Sequence, residues 1–200
     1  MQQISLTGQW KMRRNDIQSD WYDAQVPGCV YTDLMLNGII PDPFVEDKEN
    51  DVQWVAEQDW IYTRSIEITR EMLKSDHIDL VCDGLDTLAE VLINGRPFTS
   101  CNNMFCAQRW NIKALLVDGR NEISIIFHSP LSFTNQKMKE RYLPCVENGI
   151  PGWAYLRKAA SQYGWDWGPR LPVMGIWKDI RLEIWSTARL KDVFIRQHHY

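Results

Sequence analysis

The stretch "WIYTRSIEIT", residues 60–69, decides the fold. Trp60, Tyr62, Ile66 and Ile68 share one parity, while Thr63, Ser65, Glu67 and Thr69 take the other. Successive side chains of a strand point to opposite faces, so this is a half-buried strand with one wet side. Arg64 falls on the apolar parity, and a guanidinium there must be paired or reach into a cleft. The same period recurs in "NEISIIFHS" through Ile123, Ile125 and Phe127, and in "HIDLVCDG" through Ile78, Leu80 and Cys82. In "IWKDIRLEIW" it sets Ile176, Ile180, Leu182 and Ile184 against Trp177, Asp179, Arg181, Glu183 and Trp185.

Turn signals punctuate these strands. "AEVLINGRPF" places Asn94-Gly95 between apolar runs, and Asn-Gly accepts positive φ at both centres of a type I′ hairpin turn. Asp118-Gly119 precedes the next strand in a similar way. Pro97 marks the return strand as short or at an edge. Helical signals are few: "YTDLMLNG" predicts one or two turns with Thr32 as N-cap and Gly38 after the end, and "SFTNQKMKERY" about three turns from Ser132. The expected fold is all-β, a jelly-roll β-sandwich with long loops and one or two short helices. Two long stretches, residues 37–58 and 143–175, hold prolines and tryptophans and match neither period; loops of such length are usually functional, and these are expected to lie folded on a surface.

The totals bound what such a fold does. With 200 residues, 44% hydrophobic and 24% charged, the chain buries a sizeable core in one domain or at most two small ones. A net charge of -4 argues against nucleic acid, which leaves a basic footprint. No apolar run is long enough for a membrane span, and the opening "MQQISLTGQWKMRRND" lacks the pattern of a signal peptide. Five scattered cysteines, Cys29, Cys82, Cys101, Cys106 and Cys145, form no disulfide framework and agree with a reducing, cytoplasmic compartment. Their spacing matches no zinc motif, and neither a metal nor a cofactor is expected. The last segment, "RLKDVFIRQHHY", predicts a new strand from Val193 to Gln197, at the threshold of a further domain.

Ten tryptophans is the unusual count. One reading is core filler on pleated faces; the other is a sugar site, where the C–H face of a pyranose stacks on an indole and its hydroxyls meet polar groups at the rim. Residues 161–177, "SQYGWDWGPRLPVMGIW", concentrate the question, since Asp166 lies between Trp165 and Trp167. A carboxylate beside indoles is partly desolvated and grips hydroxyls through charge-assisted hydrogen bonds. It equally suits a buried Asp capping backbone N–H groups in a tight loop. Arg170 either neutralises Asp166 or sits elsewhere. No nucleophile elbow, zinc-protease motif, phosphate loop or dinucleotide fingerprint is present.

"YGWDWGPRLPVMGIWKDIRLEIW" resembles the motif of β-mannosidases, members of the large glycosidase family that also holds β-galactosidases and β-glucuronidases. "VPGCVYTDLMLNGIIPDPFVEDKENDVQWVAEQDWIYTR", "GLDTLAEVLINGRPFTSCNNMF", "RNEISIIFHSP" and "RKAASQYGWDWGPR" match its segments in the same order, so the likeness covers nearly all of residues 5–186. Two departures are Tyr31, where relatives often carry histidine, and "RKAAS", where "RKAQY" is common.

The resemblance implies a galactose-binding-like jelly roll over residues 1–187 and the start of an immunoglobulin-like sandwich over 188–200. It implies that this chain holds no catalytic residue: the two glutamates of a retaining mechanism, about 5 Å apart, belong to a barrel further along. Asp166, Trp165 and Trp167 are then substrate-binding residues in the subsite for a terminal β-mannoside of an oligosaccharide. The other partners are the remaining domains of the same enzyme, with neither nucleic acid nor membrane. A free-standing carbohydrate-binding module and a purely docking sandwich are the competing classes, and a β-galactosidase or β-glucuronidase domain is the competing substrate.

Overall fold

The computed structural model describes residues 1–16, 18–146, 148–166 and 168–199. Twelve strands carry it: β1 (Gln2–Ser5), β2 (Gly8–Arg14), β3 (Tyr22–Val26), β4 (Trp60–Ile68), β5 (His77–Cys82), β6 (Leu85–Asp86), β7 (Ala89–Ile93), β8 (Arg96–Cys101), β9 (Gln108–Asn111), β10 (Gly119–Phe127), β11 (Gly175–Ile176) and β12 (Ile180–Trp185). Three short helices join them: α1 (Val30–Leu36), α2 (Arg70–Leu73) and α3 (Pro130–Glu140). The strands form a six-stranded sheet in the order β3-β2-β4-β10-β7-β8, a four-stranded sheet in the order β1-β12-β5-β9, and a small β11–β6 ribbon. Every strand pairing among the described residues is antiparallel.

One core lies between the sheets. β4 turns Trp60, Tyr62 and Ile68 inward and β10 contributes Ile123, Ile125 and Phe127. Ile78, Leu80 and Cys82 of β5 and Ile180, Leu182 and Ile184 of β12 meet them from the other sheet. Tyr62 and Phe127 pack edge to face at 5.7 Å. Each fully buried side chain of this size contributes roughly 1.5–3 kcal/mol. Arg64 keeps its place on the inward parity because its Nη1 donates to the backbone oxygens of Leu6 and Thr7, both at 2.7 Å.

The Asn94-Gly95 turn forms as its sequence predicts, with φ of 53° and 72°, and β8 is an edge strand with a bulge opposite Val91/Leu92. The helix starts differ from expectation. Cys29, not Thr32, is the N-cap of α1; Thr32 lies inside the first turn and its hydroxyl reaches back, accepting from the Cys29 N–H at 3.3 Å. The third helix begins at Pro130, two residues before Ser132, because Ser129 caps the Ser132 N–H at 2.9 Å and proline suits the first helical position. Residues 188–199 form no strand. A strand needs a neighbour for its backbone groups, and this segment finds none among the described residues, so the Val193–Gln197 expectation fails here.

The two long stretches are folded. Residues 48–57 coil into a 3₁₀ helix whose Val52, Val55 and Ala56 are buried, and the Trp60 indole N–H donates to Val55 O at 2.9 Å. The described part of 143–175 holds two short 3₁₀ turns, Trp153–Tyr155 and Ala160–Tyr163, and its Leu156 and Tyr163 are buried in a small cluster with Ala56 and Leu131. Its return into β11 brings backbone against backbone: a Cβ on Gly175 would lie 2.7 Å from Gly28 O and 2.8 Å from Cys29 Cα. Only glycine permits that approach.

Candidate functional site

The tryptophans divide between buried and exposed positions. Trp10 and Trp60 are core residues, buried to 2% and 1% exposure, whereas Trp165 is 46% exposed. Trp165 N donates to Gly168 O at 3.4 Å, and this bridge closes a tight turn that leaves Asp166 at the surface. Trp167 lies outside the described residues.

Asp166 is exposed, so the expected partial desolvation between indoles does not hold, and neither does the buried backbone cap. Among the described residues its carboxylate has no hydrogen-bonding partner. Arg170 does not neutralise it. That guanidinium turns to the 48–57 segment, with Nη2 at 3.0 Å from both Glu49 Oε1 and Asn50 Oδ1. Gln53 Nε2 donates back to Arg170 O at 2.9 Å, so the two long loops are tied together. The side chain of Arg170 crosses over Gly164, where φ is +89° and a Cβ would stand 2.3 Å from Arg170 Cγ. Glycine is required there by both counts.

Two recesses adjoin this turn. The larger, ≈ 580 Å³, is lined mainly by apolar groups, including Val146, Trp153, Tyr163, Trp165 and Pro169. The smaller, ≈ 180 Å³, is lined by Val146, Asn148, Trp165 and Asp166. Val146 and Trp165 line both, so an apolar hollow adjoins a smaller one that also carries a carboxylate and an amide. This combination suits a ligand with one C–H face and one hydroxyl edge.

Beneath the turn lies a buried polar group that sequence reading missed. Asp86, on β6, receives Lys158 Nζ at 2.5 Å on Oδ1 and Gln162 Nε2 at 3.0 Å on Oδ2. Lys158 also donates to Val173 O, and Gln162 Oε1 accepts from Val173 N at 3.0 Å. Burial pushes the Lys158 ammonium below its usual range, against the pull of Asp86. No local pattern announces this set, because Lys158 and Gln162 stand 72 and 76 residues from Asp86.

A family model described as glycosyl hydrolase 2 galactose-binding domain-like matches residues 10–178. A β-mannosidase of Capra hircus is 35% identical over 196 residues, covering 94% of this chain and 22% of that protein. β-Mannosidase B of Aspergillus terreus is 39% identical over 174 residues, covering 86% of this chain and 20% of that protein. The crystal structure of β-D-mannosidase from Dictyoglomus thermophilum superposes with a TM-score of 0.89 at 41% identity, over 97% of this chain and 24% of that one. An exo-chitosanase of Amycolatopsis orientalis, 18% identical with a TM-score of 0.66, shares the fold. The chain thus spans about a fifth of the length of the curated relatives it matches. Its sandwich, its strand order and a family match running from Trp10 in β2 to Lys178 before β12 agree: the chain belongs to the galactose-binding domain-like family of glycosyl hydrolase 2.

Proposed function

We propose that this chain is the N-terminal, sugar-gripping domain of a retaining exo-β-mannosidase that removes terminal non-reducing β-D-mannose. The observation that carries the reading is the exposed Asp166 carboxylate beside Trp165 on the rim of a small recess, left unneutralised by Arg170. Relatives named β-mannosidase, at 35–41% identity, support the substrate class.

In this reading Trp165 stacks on the C–H face of the mannose and Asp166 accepts from hydroxyls remote from the scissile bond. Such remote contacts contribute to rate when they strengthen as the ring distorts. The two carboxyls that break the bond stand in a barrel outside this chain, which docks against the 143–175 surface. Residues 188–200 lead into a following immunoglobulin-like sandwich; the exposed Val193, Phe194 and Ile195 support that role, since they lack an apolar partner in this sandwich. Five free thiols support a reducing, cytoplasmic location, which cell fractionation checks.

The deciding experiment is Asp166→Ala in the full-length protein, assayed on an aryl β-mannoside. One or two lost charge-assisted hydrogen bonds lower kcat/KM by about 10- to 100-fold, with melting unchanged. An unchanged kcat/KM overturns the reading. Tight mannose binding by the 200-residue chain alone, measured by calorimetry, replaces it with a free-standing carbohydrate-binding module.

A further inference from the structure

We infer that Asp86 is a positioning residue: through Lys158 and Gln162 it clasps the neck of the 159–172 loop, and so fixes where Asp166 stands. The last step rests on the sugar-gripping reading of Asp166; the clasp itself does not.

The loop leaves the sandwich at Lys158 and returns at Val173. Across that neck no backbone ladder runs among the described residues. Side chains replace it: Lys158 Nζ donates to Val173 O, and Gln162 Oε1 accepts from Val173 N at 3.0 Å. Both side chains then converge on one carboxylate, with Lys158 on Oδ1 at 2.5 Å and Gln162 on Oδ2 at 3.0 Å. The neck's polar groups are thereby satisfied: both Asp86 oxygens, both ends of the Gln162 amide and both main-chain groups of Val173, with Asp86 Oδ1 accepting from the Thr87 hydroxyl as well. Asp86 is fixed in turn, because its own backbone pairs with Gly175 in the β6–β11 ribbon. The anchor and the returning strand are one piece.

A buried ion pair adds little net stability over well-packed apolar side chains, so stability alone is a poor account of it. Its hydrogen bonds, in contrast, have direction, and a fully satisfied buried network holds one geometry. Gln162 lies four residues before Asp166; between the clasp and the carboxylate stand the buried Tyr163, whose O accepts from the Ile150 N–H at 2.8 Å, the Gly164 bend and the Trp165–Gly168 bridge. Loosening the neck moves the whole turn, and misplacement of a binding group by about 1 Å costs up to roughly 100-fold in rate.

The test uses Gln162→Leu in the full-length protein, alone and combined with Asp166→Ala, with Gln162→Asn, whose shorter amide does not span Asp86 and Val173, as a second variant should the first fail to fold. Three quantities are read: kcat/KM on an aryl β-mannoside, melting temperature, and amide hydrogen exchange of residues 160–172. The expected result is faster exchange in that segment, a fall in kcat/KM of about 10- to 100-fold at nearly unchanged melting, and no further fall when added to Asp166→Ala. Unchanged exchange overturns the clasp whatever the kinetics. Faster exchange with unchanged kcat/KM, while Asp166→Ala alone is impaired, overturns the positioning role and leaves the sugar reading intact. Additive losses in the double variant overturn it as well, since a merely structural role acts independently of Asp166. If Asp166→Ala has no effect, the sugar reading fails, and the clasp then stands or falls on the exchange data.

Discussion

Lys158 Nζ lies 2.5 Å from Asp86 Oδ1, and neither side chain has more than 1% of its surface in contact with solvent. Removing one partner leaves a buried charge uncompensated. Lys158→Met is expected to cost about 3–5 kcal/mol in urea denaturation, and Asp86→Asn on top of it to recover part of that loss. Additive destabilisation in the double variant contradicts the pairing.

His128 gives a pH-dependent tie at the start of α3. Its Nδ1 stands 2.8 Å from Asp59 Oδ2 and its Nε2 3.5 Å from Glu90 Oε2, while Asp59 Oδ1 accepts from the Ser129 N–H. The hydrogen bond with Asp59 raises the imidazole above its usual 6.5, and the same bond holds the Asp59 carboxyl below its usual 3.8. The imidazole's contribution is therefore whole below pH 6.5 and disappears as pH rises through the raised pKa; the carboxylate's is lost as pH falls below 3.8. The urea midpoint should drop more between about pH 6 and 8 in the native protein than in His128→Gln. Both groups are partly exposed, so added salt shrinks the difference. Equal slopes for the two proteins refute the tie.

The Asn94-Gly95 turn carries more than a conformational preference. Asn94 Nδ2 donates to Leu115 O and Asn121 Oδ1, and its Oδ1 accepts from the Glu122 N–H, each at 2.9 Å. Gly95→Val should cost about 1–2 kcal/mol through its left-handed backbone. Asn94→Gly keeps the backbone free but loses all three bonds, and should cost about 1–3 kcal/mol. A neutral Asn94→Gly in urea titration would mean that those bonds add nothing beyond what water supplies.

Arg64→Met withdraws the donor that Leu6 O and Thr7 O share. The expected loss is about 1.5–3 kcal/mol, with Arg64→Lys recovering only part, because an ammonium lacks the planar fork. Full recovery by lysine would show that charge, not shape, holds the β1–β2 corner.

What was legible in the sequence was whatever acts locally. The parity of Trp60, Tyr62, Ile66 and Ile68 located β4 and its buried face, and Asn94-Gly95 located the hairpin. Helix starts were less legible, because capping depends on backbone shape: Ser129 and Cys29 cap although Ser132 and Thr32 carry the same chemistry nearby. At the candidate site, density and resemblance single out Trp165 and Asp166; what the exposed turn does not give is the partial desolvation expected of Asp166. A neighbouring indole in sequence does not enclose a carboxylate when the turn faces outward. Asp86, Lys158 and Gln162 could not be found at all, since the contacts that give them meaning join segments 72 residues apart or more.

β12 lies between β1 and β5, so Gln2 pairs with Ile184 while Ile78 pairs with the same strand from its other side. The first and fifth strands never hydrogen-bond each other; they wait for a strand made nearly 180 residues after the first. During vectorial synthesis the six-stranded sheet therefore has all its members long before the four-stranded one can close. Until residues 180–185 emerge, the apolar face of the six-stranded sheet is covered by an unfinished partner sheet, the condition in which nascent chains are most prone to self-association. The slow event in biogenesis is then the threading of this last strand into its slot, and a ribosome-bound chain stopped before Ile180 has left the exit tunnel should engage chaperones far more than one stopped after Trp185 has cleared it.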